Sequence, residues 1–386
     1  MPLKTGGRRR GTYRTQSRRI EIMRATTLTA LCLLFLVSAA QAQIPPETVG
    51  SEAMPPPEDN WFISKSRTAG YIYDAETGEM HGLLSLSNRT PAVEISHERG
   101  EFYAAEGYYS RGVHGERTDI VAVYDFENLS PIAEIEIPQK MEGQPVRRHA
   151  GLTGNGRYFL VFNMTPAQSV TVVDVENRAF VGEISTPGCA VIMPVDDLAF
   201  MMICGDGMLQ LIQLGEDGTE TNRVRGTAFF DVQVDPVFDR PEPTADGWWL
   251  LSHEGKAFDV SVDGSDIVVS EAWNLLAGDD QWRPGGRQLY SVHAPSGYAY
   301  VLMHEGGEYT HYQPGTEIWV YDINEQRRVE RIELRAPASN LFVTQSDEPK
   351  LIVADVEGEL QVYDAVKLTI DRTIDDPGPL GFIQGF

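Results

Sequence analysis

Apolar and polar residues alternate in short runs along most of this chain, and the runs recur. The recurring phrase is a short β-branched or aromatic strand closed by Asp or Gly. It reads Tyr71-Ile72-Tyr73-Asp74, then Val121-Ala122-Val123-Tyr124-Asp125, then Val170-Thr171-Val172-Val173-Asp174. Looser copies are Leu211-Ile212-Gln213-Leu214-Gly215 and Asp259-Val260-Ser261-Val262-Asp263. The last two are Ile318-Trp319-Val320-Tyr321-Asp322 and Leu360-Gln361-Val362-Tyr363-Asp364. Alternation puts one face of each strand into a core, and a terminal Asp caps the following turn through nearby backbone N–H groups. A near-continuous apolar run precedes most copies, as in Phe102-Tyr103-Ala104, Tyr158-Phe159-Leu160-Val161-Phe162 and Trp248-Trp249-Leu250-Leu251. Such runs suit strands covered on both faces. The seven copies lie roughly 40 to 60 residues apart, the period of four-stranded propeller blades. No stretch carries sustained helical periodicity with caps. The expected fold is all-β, a seven-bladed β-propeller over residues 61–386; a pair of sandwiches fits the period less well.

The N-terminal region breaks this pattern. A basic flank ending at Arg24 leads into an apolar run from Leu28 to Val37 that closes on Ala40 and Ala42. This is a signal-peptide pattern over residues 1–42, with cleavage expected after Ala42, and the run is short for a membrane span. Its arginine-rich lead is long, and Met23 offers an alternative start. Residues 43–60, with Pro45, Pro46, Pro55, Pro56 and Pro57, suit neither helix nor central strand and read as a tether. Export is implied, with no membrane span after processing.

Charge then narrows the partners. The 386 residues hold 32 basic and 56 acidic side chains, a formal charge of −24. Removing residues 1–42 takes away eight basic residues and one acid, which leaves a net charge of −31. Such a chain repels phosphate backbones, so nucleic acid is excluded as a partner class. Cys32 leaves with the leader, so the mature chain keeps Cys189 and Cys204. Export and an even pair argue for a disulfide, which would close a loop worth roughly 3 kcal/mol; two separate buried thiols are the other reading.

Chemical motifs are sparse. There is no Cys-x-x-Cys-His, Walker loop, dinucleotide fingerprint or Gly-x-Ser-x-Gly elbow. The eight histidines are scattered, and only His304 and His311, flanking Glu305-Gly306-Gly307-Glu308, suggest even a weak metal site. No metal is expected, and no catalytic residue is assigned to this chain. Cys204-Gly205-Asp206-Gly207 reads as a tight turn.

One run is more specific: Tyr109-Ser110-Arg111-Gly112-Val113-His114-Gly115-Glu116-Arg117-Thr118-Asp119. It resembles the Phe-Ser-Arg…Gly-Glu-Arg-Thr-Asp segment of the heavy subunit of quinoprotein amine dehydrogenases. Pro166-Ala167 with Val172-Val173-Asp174, the pair Cys189 and Cys204, Trp282-Arg283-Pro284-Gly285-Gly286, His293 and His311 fall where that family has similar features. The resemblance runs from residue 60 to the end. It implies a seven-bladed heavy subunit in a periplasmic tetramer of two heavy and two light chains. The cofactor, tryptophan tryptophylquinone, and the catalytic base would lie in the small disulfide-rich light subunit, so this chain would carry no cofactor. A blue copper protein of the amicyanin or azurin type would take the electrons from a primary amine. Tyr109 aligns with a family phenylalanine at the substrate channel, and Arg111, Arg117 and Asp119 are expected to brace that loop. Three phrases, around Cys204-Gly205, Leu214-Gly215 and Thr310-His311, lean toward the aromatic-amine branch.

Two other classes compete with this reading. One is a non-catalytic periplasmic propeller that binds a peptide or envelope protein. The other is a stand-alone lactonase-type propeller, which needs metal ligands at its channel.

Overall fold

A computed structural model describes residues 53–386, except residues 140 and 145. The signal segment and residues 43–52 of the tether lie outside the described residues. Residues 53–58 form no regular element, yet Met54 is buried and donates its backbone N–H to the Glu127 carbonyl at 2.8 Å. This end of the Pro-rich segment is therefore packed down, not loose.

The described residues form an all-β propeller, with one short 3₁₀ turn at Arg147–His149. Each sheet is an antiparallel meander. The strands Val93–Ser96, Glu101–Tyr109, Arg117–Asp125 and Pro131–Ile137 make one; Ala150–Leu152, Tyr158–Asn163, Ser169–Asp174 and Ala179–Ser185 make the next. Cys189–Asp196, Ala199–Cys204, Leu209–Leu214 and Glu220–Arg225 follow, then a sheet from Glu242–Pro243 to Asp266–Val269. An eight-stranded sheet spans Trp282–Pro284 to Thr369–Ile374. The remaining sheet joins the two ends of the body. Phe382–Gly385 pairs with Trp61–Lys65, and Ala69–Asp74 and Met80–Ser85 complete it.

Core clusters sit between successive sheets and close a ring. Tyr103 and Val121 pack with Phe159 and Val173, Leu160 and Val172 with Phe200 and Ile212, and Met201 and Leu211 with Leu250 and Phe258. The ring closes where Phe342 and Ile352 meet Phe62 and Ile383. Hydrophobic content follows position. Tyr158–Asn163 and Ser169–Asp174 are buried throughout, because sheets cover both their faces, whereas the outermost Ala179–Ser185 is mostly exposed. That gradient explains why the second and third strands of each unit dominate the sequence pattern.

The meander also sorts the loops onto two faces. Links from the second to the third strand, and from one sheet into the next, lie at one end, called here the loop face. Links from the third to the fourth strand lie at the other end. There the recurrent Asp behaves as the sequence implies. Asp74 accepts from the Glu76 N–H at 2.7 Å, Asp125 from Asn128 at 2.7 Å, Asp174 from Asn177 at 2.8 Å, and Asp364 from Lys367 at 2.8 Å.

Candidate functional site on the loop face

Tyr109 ends the strand Glu101–Tyr109, and residues 110–116 form the link to Arg117–Asp125. That link is exposed and held by its own backbone: Ser110 N–H donates to Glu116 O at 2.9 Å and Arg111 N–H to His114 O at 3.0 Å. Tyr109 is half-buried beneath the Arg89 guanidinium, 5.0 Å from the ring centroid. Its neighbour across the ladder, Arg117, forms a bidentate pair with Asp119 at 2.6 Å for both contacts. Arg117 also donates to Met141 O at 2.9 Å, and Asp119 accepts from Met141 N at 3.2 Å. Asp119 is fully buried, so this pair clamps the loop base to the segment entering the next sheet. Arg117 and Asp119 thus brace the loop as the sequence implies; Arg111 is exposed on its tip.

A polar network underlies this aromatic corner. Glu106, fully buried, accepts from Ser87 N at 2.8 Å, Tyr108 Oη at 2.8 Å and Tyr124 Oη at 3.1 Å. Burial and the Glu106 charge push both phenols well above their usual range, so they stay neutral donors. Nearby Lys65 is buried and donates to Thr90 O at 2.8 Å and Ser66 O at 3.1 Å. Burial lowers its ammonium to about 8, against the opposing pull of Glu106. Neither Glu106 nor Lys65 stands out in the sequence, because each sits in a mostly apolar strand.

The other candidate residues are dispersed. Cys189 and Cys204 lie directly opposite each other in the ladder and are disulfide-bonded, at the loop-face end of their sheet. His293 lies near the opposite end, with Nδ1 2.6 Å from Ser296 Oγ and Nε2 3.0 Å from Ser346 O. His304 meets Thr310 Oγ1 at 2.9 Å, while His311 stacks on His253 with ring centroids 4.0 Å apart. The two histidines flanking the Glu305–Glu308 loop therefore take different partners, and no cluster able to hold a metal occurs among the described residues. Trp282 packs against Trp319 with tilted rings 5.2 Å apart, and the Arg331 guanidinium lies over both. Gly285 is required there, since a Cβ would come within 2.4 Å of both His304 Nδ1 and Gln313 O.

Large apolar side chains are exposed unevenly. Val113, Met164, Val234, Tyr309, Tyr312 and Val356 all lie on loop-face links, with Tyr309 83% and Tyr312 77% exposed. Val366 is the comparable residue on the opposite links, among the described residues.

Fold and surface together define a β-propeller with an aromatic corner on its loop face. The methylamine dehydrogenase heavy chain (MADH) family profile matches residues 60–381, and the chain belongs to that family. The methylamine dehydrogenase heavy chain of Methylophilus methylotrophus is 28% identical over 376 residues, spanning 91% of this chain and 92% of that protein. The heavy chain of Paracoccus versutus is 28% identical over 321 residues, spanning 81% of this chain and 74% of that protein. Among solved structures, Kuenenia stuttgartiensis hydrazine synthase superposes with a TM-score of 0.55 at 11% identity, covering 84% of this chain and 98% of that one. That last likeness concerns the fold alone.

Proposed function

We propose that this chain is the heavy subunit of a periplasmic amine dehydrogenase that oxidises primary amines with a tryptophan tryptophylquinone held by a light subunit. The observation that carries the reading is the family match across residues 60–381, with Tyr109 at the corner of the exposed apolar face. The light subunit docks on that face, and the assembly contains two of each chain.

The tryptophans of this chain are all committed to its own packing: Trp61, Trp248, Trp249, Trp273, Trp282 and Trp319 are each buried. This supports a quinone formed elsewhere. When present in the light subunit, that quinone supplies the electrophilic carbonyl for amine oxidation. The heavy chain's part is to wall the entrance. The Tyr109 ring, held by Arg89 and backed by the Arg117–Asp119 clamp, limits amine size and helps exclude water from the docked interface. Electrons leave to a blue copper protein of the amicyanin or azurin type.

The wheel is read as seven-bladed. Arg327–Val343, 17 residues long, pairs with Gly315–Asp322 through its first half and with Lys350–Asp355 through its second. The eight-stranded sheet is therefore two meanders sharing one continuous strand. The Cys189–Cys204 bridge supports export to an oxidising compartment after removal of residues 1–42.

Co-expression with a small cysteine-rich secreted chain, followed by amine-dependent dye reduction, tests the assignment. The complex should turn over and the isolated heavy chain should not. Activity of the isolated chain, or failure of any such light chain to bind, overturns it. Within an active complex, Tyr109→Ala should change the ratio of short to aromatic amine turnover; an unchanged ratio removes Tyr109 from the entrance.

A further inference from the structure

The mouth of the central channel on the loop face is a cavity of about 490 Å³ at the starts of the innermost strands. Arg147, Arg148, Arg240 and Arg287 line it, and the lining carboxylate is Glu242. Four cations thus converge in a chain whose mature net charge is −31. We propose that this mouth is an oxyanion site, taking a carboxylate or phosphate group between the four guanidinium forks.

Arg148 carries the argument. The residue is 7% exposed, its guanidinium lies 4.6 Å over the Trp248 ring, and its buried Nε has no hydrogen-bond partner among the described residues. No ion pair ties it down among those residues. Glu94 and Glu242 act on it through space, but neither bonds to it, so the donors of this buried guanidinium are left for an anion that enters from the cavity. Arg147 approaches Glu242 only to 3.9 Å, longer than a charge-assisted hydrogen bond. Arg240 is paired with Asp239 and donates through Nε to Arg287 O at 3.1 Å, which fixes the rim. Arg287 itself is exposed and forms no ion pair among the described residues. The acids facing the site are Glu242 and, from the neighbouring sheet, Glu94; burial pushes both carboxyls upward, against the opposing pull of Arg147 and Arg148. Planar forks on several sides of one cavity suit a multi-oxygen anion better than a single halide.

The site belongs to this chain and stands independently of the amine reading. Calorimetric titration of the isolated mature chain at low salt, with citrate and with inorganic phosphate, tests it. At least one anion should bind saturably with a Kd below about 1 mM. Arg148→Gln and, separately, Arg287→Gln should each weaken that binding about ten-fold or more. Arg287 lies on the exposed rim, so its variant keeps the test decisive if Arg148→Gln fails to fold. Dilution heats alone for both anions up to about 10 mM, or binding unchanged in Arg287→Gln, would overturn the site. Repeating the titration on a heavy–light complex separates the sources. Loss of citrate binding on assembly assigns the mouth to an acidic side chain of the partner, and retained binding assigns it to a free anion. If no light chain binds, the amine reading fails while the titration of the isolated chain still decides this site.

Discussion

The two faces of the wheel are built by different means. On the face opposite the loops, the turns repeat one device, an Asp side chain accepting N–H groups two or three residues onward, as at Asp74, Asp174 and Asp364. On the loop face that device recurs at Asp206 and Asp355, but other links are braced in other ways. One is braced by the Arg117–Asp119 clamp, one by a disulfide, and one by the stacked His253 and His311 rings. Repetition thus specifies the frame, and the individual character of the chain is concentrated where the frame is left irregular. The Arg117–Asp119 clamp and the disulfide are buried and ionic or covalent, so they should be costlier to remove than a single turn on the far side.

Asp119→Ala is expected to have the largest effect. It removes a fully buried carboxylate and strands Arg117, which should cost about 3 to 5 kcal/mol in urea denaturation. A loss close to that of a surface charge would mean the clamp is decorative. Replacing Cys189 and Cys204 together by Ala should cost about 3 kcal/mol, from the loop freed in the unfolded chain.

The third expectation concerns acid. Burial lowers His149 to about 4 in the folded protein. Between pH 6.5 and 4 the unfolded chain therefore binds more protons than the native state, and stability falls as pH falls through that window. From pH 7 to pH 5 the loss from this residue should be roughly 2 kcal/mol, and His149→Gln should flatten that part of the profile. An unaltered profile would place the acid sensitivity elsewhere. The smallest effect belongs to the repetitive face. Asp364→Ala should cost about 1 kcal/mol through two lost turn hydrogen bonds. A cost equal to that of Asp119→Ala would erase the contrast between the faces.

The same contrast explains what the sequence made legible. The Tyr-Asp and Val-Asp strand ends could be seen because every unit needs a two-sided core and a tight return, so the pattern recurs. The Arg117–Asp119 brace was visible because both partners sit two residues apart on one strand. The convergence of Arg147, Arg148, Arg240 and Arg287 was not, since ring closure brings together links about 140 residues apart in the chain. The adjacent Arg147-Arg148 pair gives no hint by itself, since Arg327-Arg328 is a like pair elsewhere in the chain. Lys65 and Glu106 were hidden for a related reason: a polar residue in a mostly apolar strand looks like an edge position until the neighbouring sheet covers it.

The pairing of Phe382–Gly385 with Trp61–Lys65 has a consequence for biogenesis. The opening sheet lacks its innermost strand until more than three hundred further residues have been made. A chain that has not yet reached Phe382–Gly385 therefore cannot lock its circle, however many units have already formed. Anything that handles this polypeptide before that strand exists meets an open arc with bare ends, and the latch is thrown last.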